Sequence, residues 1–114
     1  MRNALFILLI AACSGGVPNG PQPIAYDKEP CTYCHMLIGD PHYAAQLITA
    51  DGDVLDFDDP GCLDHYVADH HPSIAHIYYR DAHADRWLTA EEAVFEPGAS
   101  TPMGWGSAAT RGIK

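Results

Sequence analysis

The stretch that decides the fold runs DGDVLDFDDPGCLDHYVADH from residue 51 to residue 70. Asp51-Gly52 predicts a tight hairpin turn, because both residue types tolerate positive φ. Between Asp53 and Asp58, Leu55 and Phe57 fall on one face and Val54 and Asp56 on the other, a pattern typical of a half-buried antiparallel strand. Asp58 or Asp59, followed by Pro60, is a favourable helix start. The stretch therefore predicts a turn, a strand and a helix in succession.

The predicted helix runs from Asp59 to His70 and places Leu63, Tyr66 and Val67 on one apolar face. Working outward, strands are predicted at 43–50 and 73–80. The fold class is therefore α+β: a small antiparallel sheet with a strand–strand–helix–strand unit and one packed helix.

Beyond this unit the pattern weakens. A short strand is predicted at 86–88, and Thr89 with Glu92 resembles a capping box that opens one helical turn. Val94 and Phe95 indicate another strand. The tail at 99–114 is rich in Gly, Ala and Ser and predicts neither helix nor strand.

The N-terminus predicts export and lipidation. Residues 1–12 form a signal peptide, with Arg2 followed by an apolar run too short to span a bilayer. The run ends in a lipobox-like sequence, so Cys13 is the predicted lipidated residue, anchored to a membrane and facing the periplasm or the cell exterior. Residues 13–30 are predicted to be a flexible linker, and 31–114 the folded domain.

The net charge limits the possible partners. The chain of 114 residues carries a formal charge of −9 at pH 7. Nucleic acid binding requires a basic surface, so this class is excluded. No recognisable catalytic motif is present, which favours a carrier over an enzyme.

Chemistry is concentrated in Cys31-Thr32-Tyr33-Cys34-His35-Met36. Thiol and thioether groups are soft donors that select Cu(I), zinc or iron–sulfur clusters over hard cations. Cys34 and Met36 are separated by one residue and share a face if the segment is extended. Met103 lies in an irregular loop between Pro and Gly and is a further candidate ligand. Cys31 is a candidate ligand, redox partner or haem tether.

Several alternatives use the same residues. Cys62 lies on the apolar face of the helix and is interpreted mainly as a buried core residue. Zinc held by Cys31, Cys34 and Cys62 with a histidine is possible, although the second cysteine pair of a zinc ribbon is missing. A thioredoxin-like redox pair is disfavoured because the cysteines follow a proline-rich segment. A scaffold lipoprotein without metal would leave the sulfur clustering unexplained.

The strongest alternative is a monohaem c-type cytochrome. Cys31-x-x-Cys34-His35 has the C-x-x-C-H pattern of covalent haem attachment, and Met103 would supply the second axial ligand. Such cytochromes are helical, whereas the patterns on either side of Asp51-Gly52 predict a sheet. Copper(I) is therefore preferred to haem c as the bound group.

Four elements together resemble the NosL family of membrane-anchored copper(I) lipoproteins that serve the maturation of nitrous oxide reductase. They are the lipobox ending at Cys13, the Cys31-x-x-Cys34-x-Met36 motif, the Phe57-Asp58-Asp59-x-Gly61-Cys62 strand-to-helix element and Thr101-Pro102-Met103-Gly104. Their order and spacing match over nearly the whole mature chain.

The resemblance implies a Cu(I) site using Cys34 and Met36, with Met103 as a further ligand. It also implies a copper donor to nitrous oxide reductase or its ABC-transporter-type maturation complex in the membrane. Two features differ from the family: His35 stands where a small residue such as Gly is usual, and members commonly continue beyond the Met motif, so the domain is expected to be C-terminally shortened.

Overall fold

The computed structural model describes residues 16–112, which form an α+β domain. The predicted signal peptide and the lipidation site at Cys13 lie outside the described residues. The elements in chain order are β1 (Ala45–Thr49), β2 (Val54–Phe57), α1 (Pro60–His70), β3 (Ile74–Arg80), β4 (Trp87–Thr89), β5 (Ala93–Pro97) and β6 (Ser107–Arg111). Within this range, no helix is long and apolar enough to cross a bilayer.

The main sheet is antiparallel and has the order β2-β1-β3-β4. The predicted turn at Asp51-Gly52 joins β1 to β2, with Gly52 at a φ of 94°. In the central strand β1, Ala45 pairs with Phe57 on one side and with Tyr79 on the other. The predicted fold class and strand–strand–helix–strand order are confirmed.

Helix α1 begins and ends through specific caps. Asp59 is the N-cap and accepts a hydrogen bond from the Gly61 N–H, and Pro60 occupies the first turn, where no backbone donor is needed. His71 ends the helix in the left-handed conformation, at a φ of 49°. Leu63 is buried in the core and Tyr66 and Val67 pack against it, as predicted.

The second sheet, formed by β5 and β6, corrects two predictions. Thr89 and Glu92 do exchange capping-box hydrogen bonds of 2.9 and 3.2 Å, but these close a turn between β4 and β5 and open no helical turn. The chain does not continue as a helix after Glu92, because Ala93 already pairs with Arg111 in the second sheet. The tail predicted to be irregular contains β6, because tertiary packing that buries Ala108 and Ala109 outweighs weak strand propensity.

Part of the predicted linker packs onto the main sheet, which moves the start of the packed domain upstream of Cys31. Ile24 is buried in the core. Gln22 exchanges two backbone hydrogen bonds with the Gln46 side chain, whose Nε2 also donates to Asp56 Oδ1 at 2.7 Å. The segment around Gln22 and the Gln46 side chain thereby bury Asp56. The sequence pattern placed Asp56 on the face opposite Leu55 and Phe57, so both faces of β2 are covered.

Candidate metal centre

The segment Cys31–Met36 forms a tight loop with paired ends. The Cys31 N–H donates to the Met36 carbonyl at 2.8 Å, and Pro30 and Leu37 form an antiparallel bridge just outside it. Inside the loop, the His35 N–H donates to the Cys31 carbonyl at 3.0 Å. His35 has a φ of 68°, a conformation that favours glycine. The loop thereby folds the two cysteines back toward each other.

Three cysteines meet at this loop. The Sγ atoms of Cys31, Cys34 and Cys62 lie within 4.8 Å of one another, and all three thiols are free. Cys62 comes from the first turn of α1. Cys31 and Cys62 are only 1% and 0% exposed, whereas Cys34 is half-buried. These three residues, called the three-cysteine cluster below, can hold a metal ion.

Contacts within the cluster shift the pKa values of its thiols. The Cys62 thiol donates a hydrogen bond to the Cys31 sulfur and lowers the pKa of Cys31 to about 5, although burial opposes this shift. Backbone N–H groups support the same thiolate, including that of Cys34 at 3.4 Å. The hydrogen bond to Cys31 raises the pKa of Cys62, and burial raises that of Cys34. These hydrogen bonds therefore favour the thiolate at Cys31, and a soft metal that binds would displace the protons of the other two thiols.

A buried aspartate pair adjoins the cluster. Asp58 and Asp59 are both buried at the junction between β2 and α1. Burial raises the pKa of Asp58, and its Oδ1 has no hydrogen-bond partner among residues 16–112. Asp59 uses both oxygens: Oδ1 caps α1, and Oδ2 accepts from the Met103 N–H at 3.0 Å. Asp59 thus ties the Met103 loop to the helix that carries Cys62.

The segment 101–106, called the Met103 loop below, lies against the start of α1. Thr101 closes it by accepting hydrogen bonds from Gly104 on its carbonyl and from Gly106 on its hydroxyl. From this loop, the Trp105 Nε1–H donates to the Cys62 sulfur at 3.4 Å. A residue 43 positions beyond Cys62 therefore contacts the cluster.

Aromatic rings connect the loops around the cluster. The Trp105 ring stacks on His65 at 4.1 Å between centroids, and His65 in turn lies 5.9 Å from Tyr33, next to Cys34. His65 follows Cys62 by three residues and lies on the same side of the helix. The rings span the Cys31–Met36 loop, α1 and the Met103 loop.

The structure brings together some of the predicted site residues. Cys31 and Cys34 join in the cluster, whereas the Met36 and Met103 side chains lie on the surface, 58% and 38% exposed. Cys62 is a buried helix residue, as predicted, but its sulfur also joins the cluster. The preferred set of copper ligands did not include Cys62. The odd number of cysteines left after Cys13 was the sequence signal that pointed to it. Trp105 carried no comparable signal.

Comparison of the chain with protein-family models, with curated proteins and with solved structures finds no match.

Proposed function

We propose that this protein is a copper(I) carrier lipoprotein of the NosL type. The observation that carries the proposal is the convergence of three free thiols within 4.8 Å, two of them buried and one half-buried. A site of this kind can hold a soft ion away from solvent and still present one ligand to a partner. Cys34 is that ligand.

The donor set favours Cu(I) over zinc. Cu(I) accepts two or three soft ligands, whereas structural zinc is almost always four-coordinate. Within residues 16–112, no histidine or carboxylate joins the three sulfurs as a fourth ligand. The alternative of a zinc site completed by a histidine therefore has less support than a three-coordinate thiolate site.

The two methionines fit the role of exchange ligands at the rim. Met36 closes the Cys31 loop through its backbone, and the Met103 backbone is tied to Asp59, three residues before Cys62. Both thioethers are accessible to solvent and need no deprotonation to bind copper. A thioether can therefore add to the ion when Cys34 is exchanged for a ligand of a partner.

The haem alternative has less support from this arrangement. Thioether attachment requires both cysteine sulfurs to face a porphyrin, but Cys31 is buried against Cys62. His35, the proposed axial ligand, is exposed in a strained backbone conformation. The α+β fold also differs from the helical fold expected of such a cytochrome.

The biological role follows from the resemblance. A lipid anchor on Cys13 would hold the domain at a membrane surface, where it would supply Cu(I) for the copper centres of nitrous oxide reductase through an ABC-transporter-type maturation complex. The protein would act by ligand exchange without catalysing a reaction.

Anaerobic titration of the reduced full-length protein with Cu(I), in competition with a chromogenic Cu(I) chelator, tests the proposal. One Cu(I) should bind, and Cys31→Ala, Cys34→Ala and Cys62→Ala should each weaken binding strongly. Cys13→Ala is the matched control, because it removes a cysteine outside the cluster, together with the predicted lipid anchor, and should leave the affinity unchanged. Equal affinity in the control and the three cluster variants would refute the copper site.

A second measurement separates copper from the other groups. After expression in the periplasm with haem-attachment machinery, the intact mass should show no covalently bound haem. A haem-bearing product, or a tighter complex with Zn(II) than with Cu(I) in the same competition assay, would overturn the proposal.

A further inference from the structure

The position of Trp105 has a consequence for access to the cluster. We propose that Trp105 is a movable cap on the three-cysteine cluster, which limits how fast thiol reagents and copper acceptors reach Cys62. The restriction on thiol access stands on geometry alone, and the effect on copper exchange rests on the proposed function.

The seat of the cap is shaped by Gly61. A Cβ atom at this position would overlap the Trp105 side chain, so the ring can lie against the first turn of α1 only because residue 61 is glycine. The next residue, Cys62, accepts the indole N–H, and His65 stacks on the ring one helical turn later. Three residues of one helix thus hold the indole in place.

The cap contacts one sulfur of the cluster, that of Cys62. Cys62 is fully buried, while Trp105 itself is 44% exposed, so the indole has a protein-facing side and a solvent-facing side. Cys34 lies in the other loop and is half-buried, with part of its side chain exposed to solvent. With the cap closed, Cys34 is therefore the accessible thiol and Cys62 is shielded.

The chain next to the cap is suited to local motion. Gly104 and Gly106 flank Trp105, and both have positive φ values, of 75° and 81°. Pivoting at these glycines would lift the indole without disturbing the strands. The closed form is held by a stacking contact, one indole hydrogen bond and the tie between Met103 and Asp59. Such a segment can open locally at a small fraction of the cost of global unfolding.

Variants can displace the cap without changing a cluster sulfur. Gly61→Ala fills the seat and suits the helix, since alanine has the higher helix propensity. Trp105→Ala removes the ring, and Trp105→Phe keeps a ring but loses the N–H donor. Trp87→Phe is the matched control, because Trp87 lies on β4 and packs against Tyr78 and Arg80.

The first test needs no metal. In a Cys13→Ala background of the full chain, the reduced protein is mixed anaerobically with an N-alkylmaleimide, and the three thiol rates are followed by the fall in maleimide absorbance. The sulfur of a protein thiolate adds to the carbon–carbon double bond of the maleimide, the adjacent carbon takes up a proton and no group leaves, so a neighbouring cysteine cannot displace the label. Peptide mapping of partly reacted protein assigns each rate to its cysteine.

Cys34 should react first and Cys62 slowly in the parent protein and in Trp87→Phe. Gly61→Ala and Trp105→Ala should each accelerate Cys62 about ten-fold, the scale expected when a ring contact and a hydrogen bond are lost. Trp105→Phe should fall between them and the parent. Unchanged Cys62 rates would overturn the cap, and so would an equal acceleration of all three thiols, which indicates loss of the fold.

The second test measures transfer of Cu(I) from the loaded protein to an excess of chelator by stopped flow. The cap variants should release copper roughly ten-fold faster than Trp87→Phe, on the same reasoning. Failure of the parent protein to bind Cu(I) would refute the proposed function while leaving the thiol-access result to decide the cap. Normal binding with equal release rates in all variants would refute the role of the cap in exchange.

Discussion

Substitution of Asp59 tests how the Met103 loop is attached to the cluster. Asp59 is fully buried, and its two oxygens accept hydrogen bonds of 3.0 Å from the Gly61 and Met103 N–H groups. Asp59→Ala removes both. Loss of an N-cap costs about 1 kcal/mol, and loss of a hydrogen bond to a charged acceptor costs about 2 kcal/mol. We therefore expect Asp59→Ala to lower the free energy of unfolding by about 3 kcal/mol.

Asp59→Asn separates the two contributions. Asparagine caps helices as well as aspartate does, so its oxygen can keep the bond to Gly61. Its NH₂ group would then face the Met103 N–H, and because both groups are donors, no hydrogen bond can form between them. The expected cost is about 2 kcal/mol, concentrated in the Met103 loop.

Urea unfolding followed by circular dichroism measures these differences. With a slope of about 1.5 kcal/mol per M, a loss of about 3 kcal/mol lowers the midpoint by about 2 M. Asp53→Asn is the control, because it removes a negative charge from an exposed residue and should change stability by less than about 0.5 kcal/mol. Amide hydrogen exchange at Met103 should accelerate in both Asp59 variants. Protection at Met103 equal to that of the control would refute the tie.

Three further predictions concern the pH dependence caused by Asp56, the copper ligands Met103 and Cys34, and the backbone conformation of His35. Burial raises the pKa of Asp56 to about 8, and the hydrogen bond with Glu29 adds to the shift. Because the folded state keeps a proton that the unfolded chain loses near pH 4, wild-type stability should fall as pH rises from about 4 to 8. Asp56→Asn mimics the protonated carboxyl group at every pH. The difference in urea midpoint between this variant and the wild type should therefore grow in favour of the variant from about pH 4 to pH 8. A difference that stays constant would contradict the raised pKa of Asp56. Met103→Leu should weaken Cu(I) binding about ten-fold to a hundred-fold, and Cys34→Ser far more, in chelator competition; equal losses would reverse this ligand hierarchy. His35→Gly should raise the free energy of unfolding by about 0.5 kcal/mol, because it relieves a left-handed backbone conformation, and should retain Cu(I) binding; a destabilised variant would show that the His35 side chain contributes more than its strain costs.

The elements with local signals could be predicted from the sequence. Asp51-Gly52 specified the hairpin, alternation specified β2, and Asp59-Pro60 specified the start of α1. Each signal acts within a few residues, through φ preferences or one capping hydrogen bond, so no knowledge of the remaining chain was needed. The proximity of Cys31 and Cys34 is local in the same sense, since only two residues separate them.

Tertiary structure alone decided the rest of the candidate site. Cys62 joins the other two sulfurs because α1 packs on the sheet beside the Cys31 loop, and Trp105 reaches Cys62 only through the return of the chain after β5. Likewise, Ala108 and Ala109 become strand residues because β5 is there to pair with them. These contacts join residues far apart in sequence, and no local periodicity encodes which distant partner will supply the missing surface or hydrogen bond. The sequence by itself determined which soft ligands the chain carries, and the packing of α1 and the Met103 loop decided which of them meet.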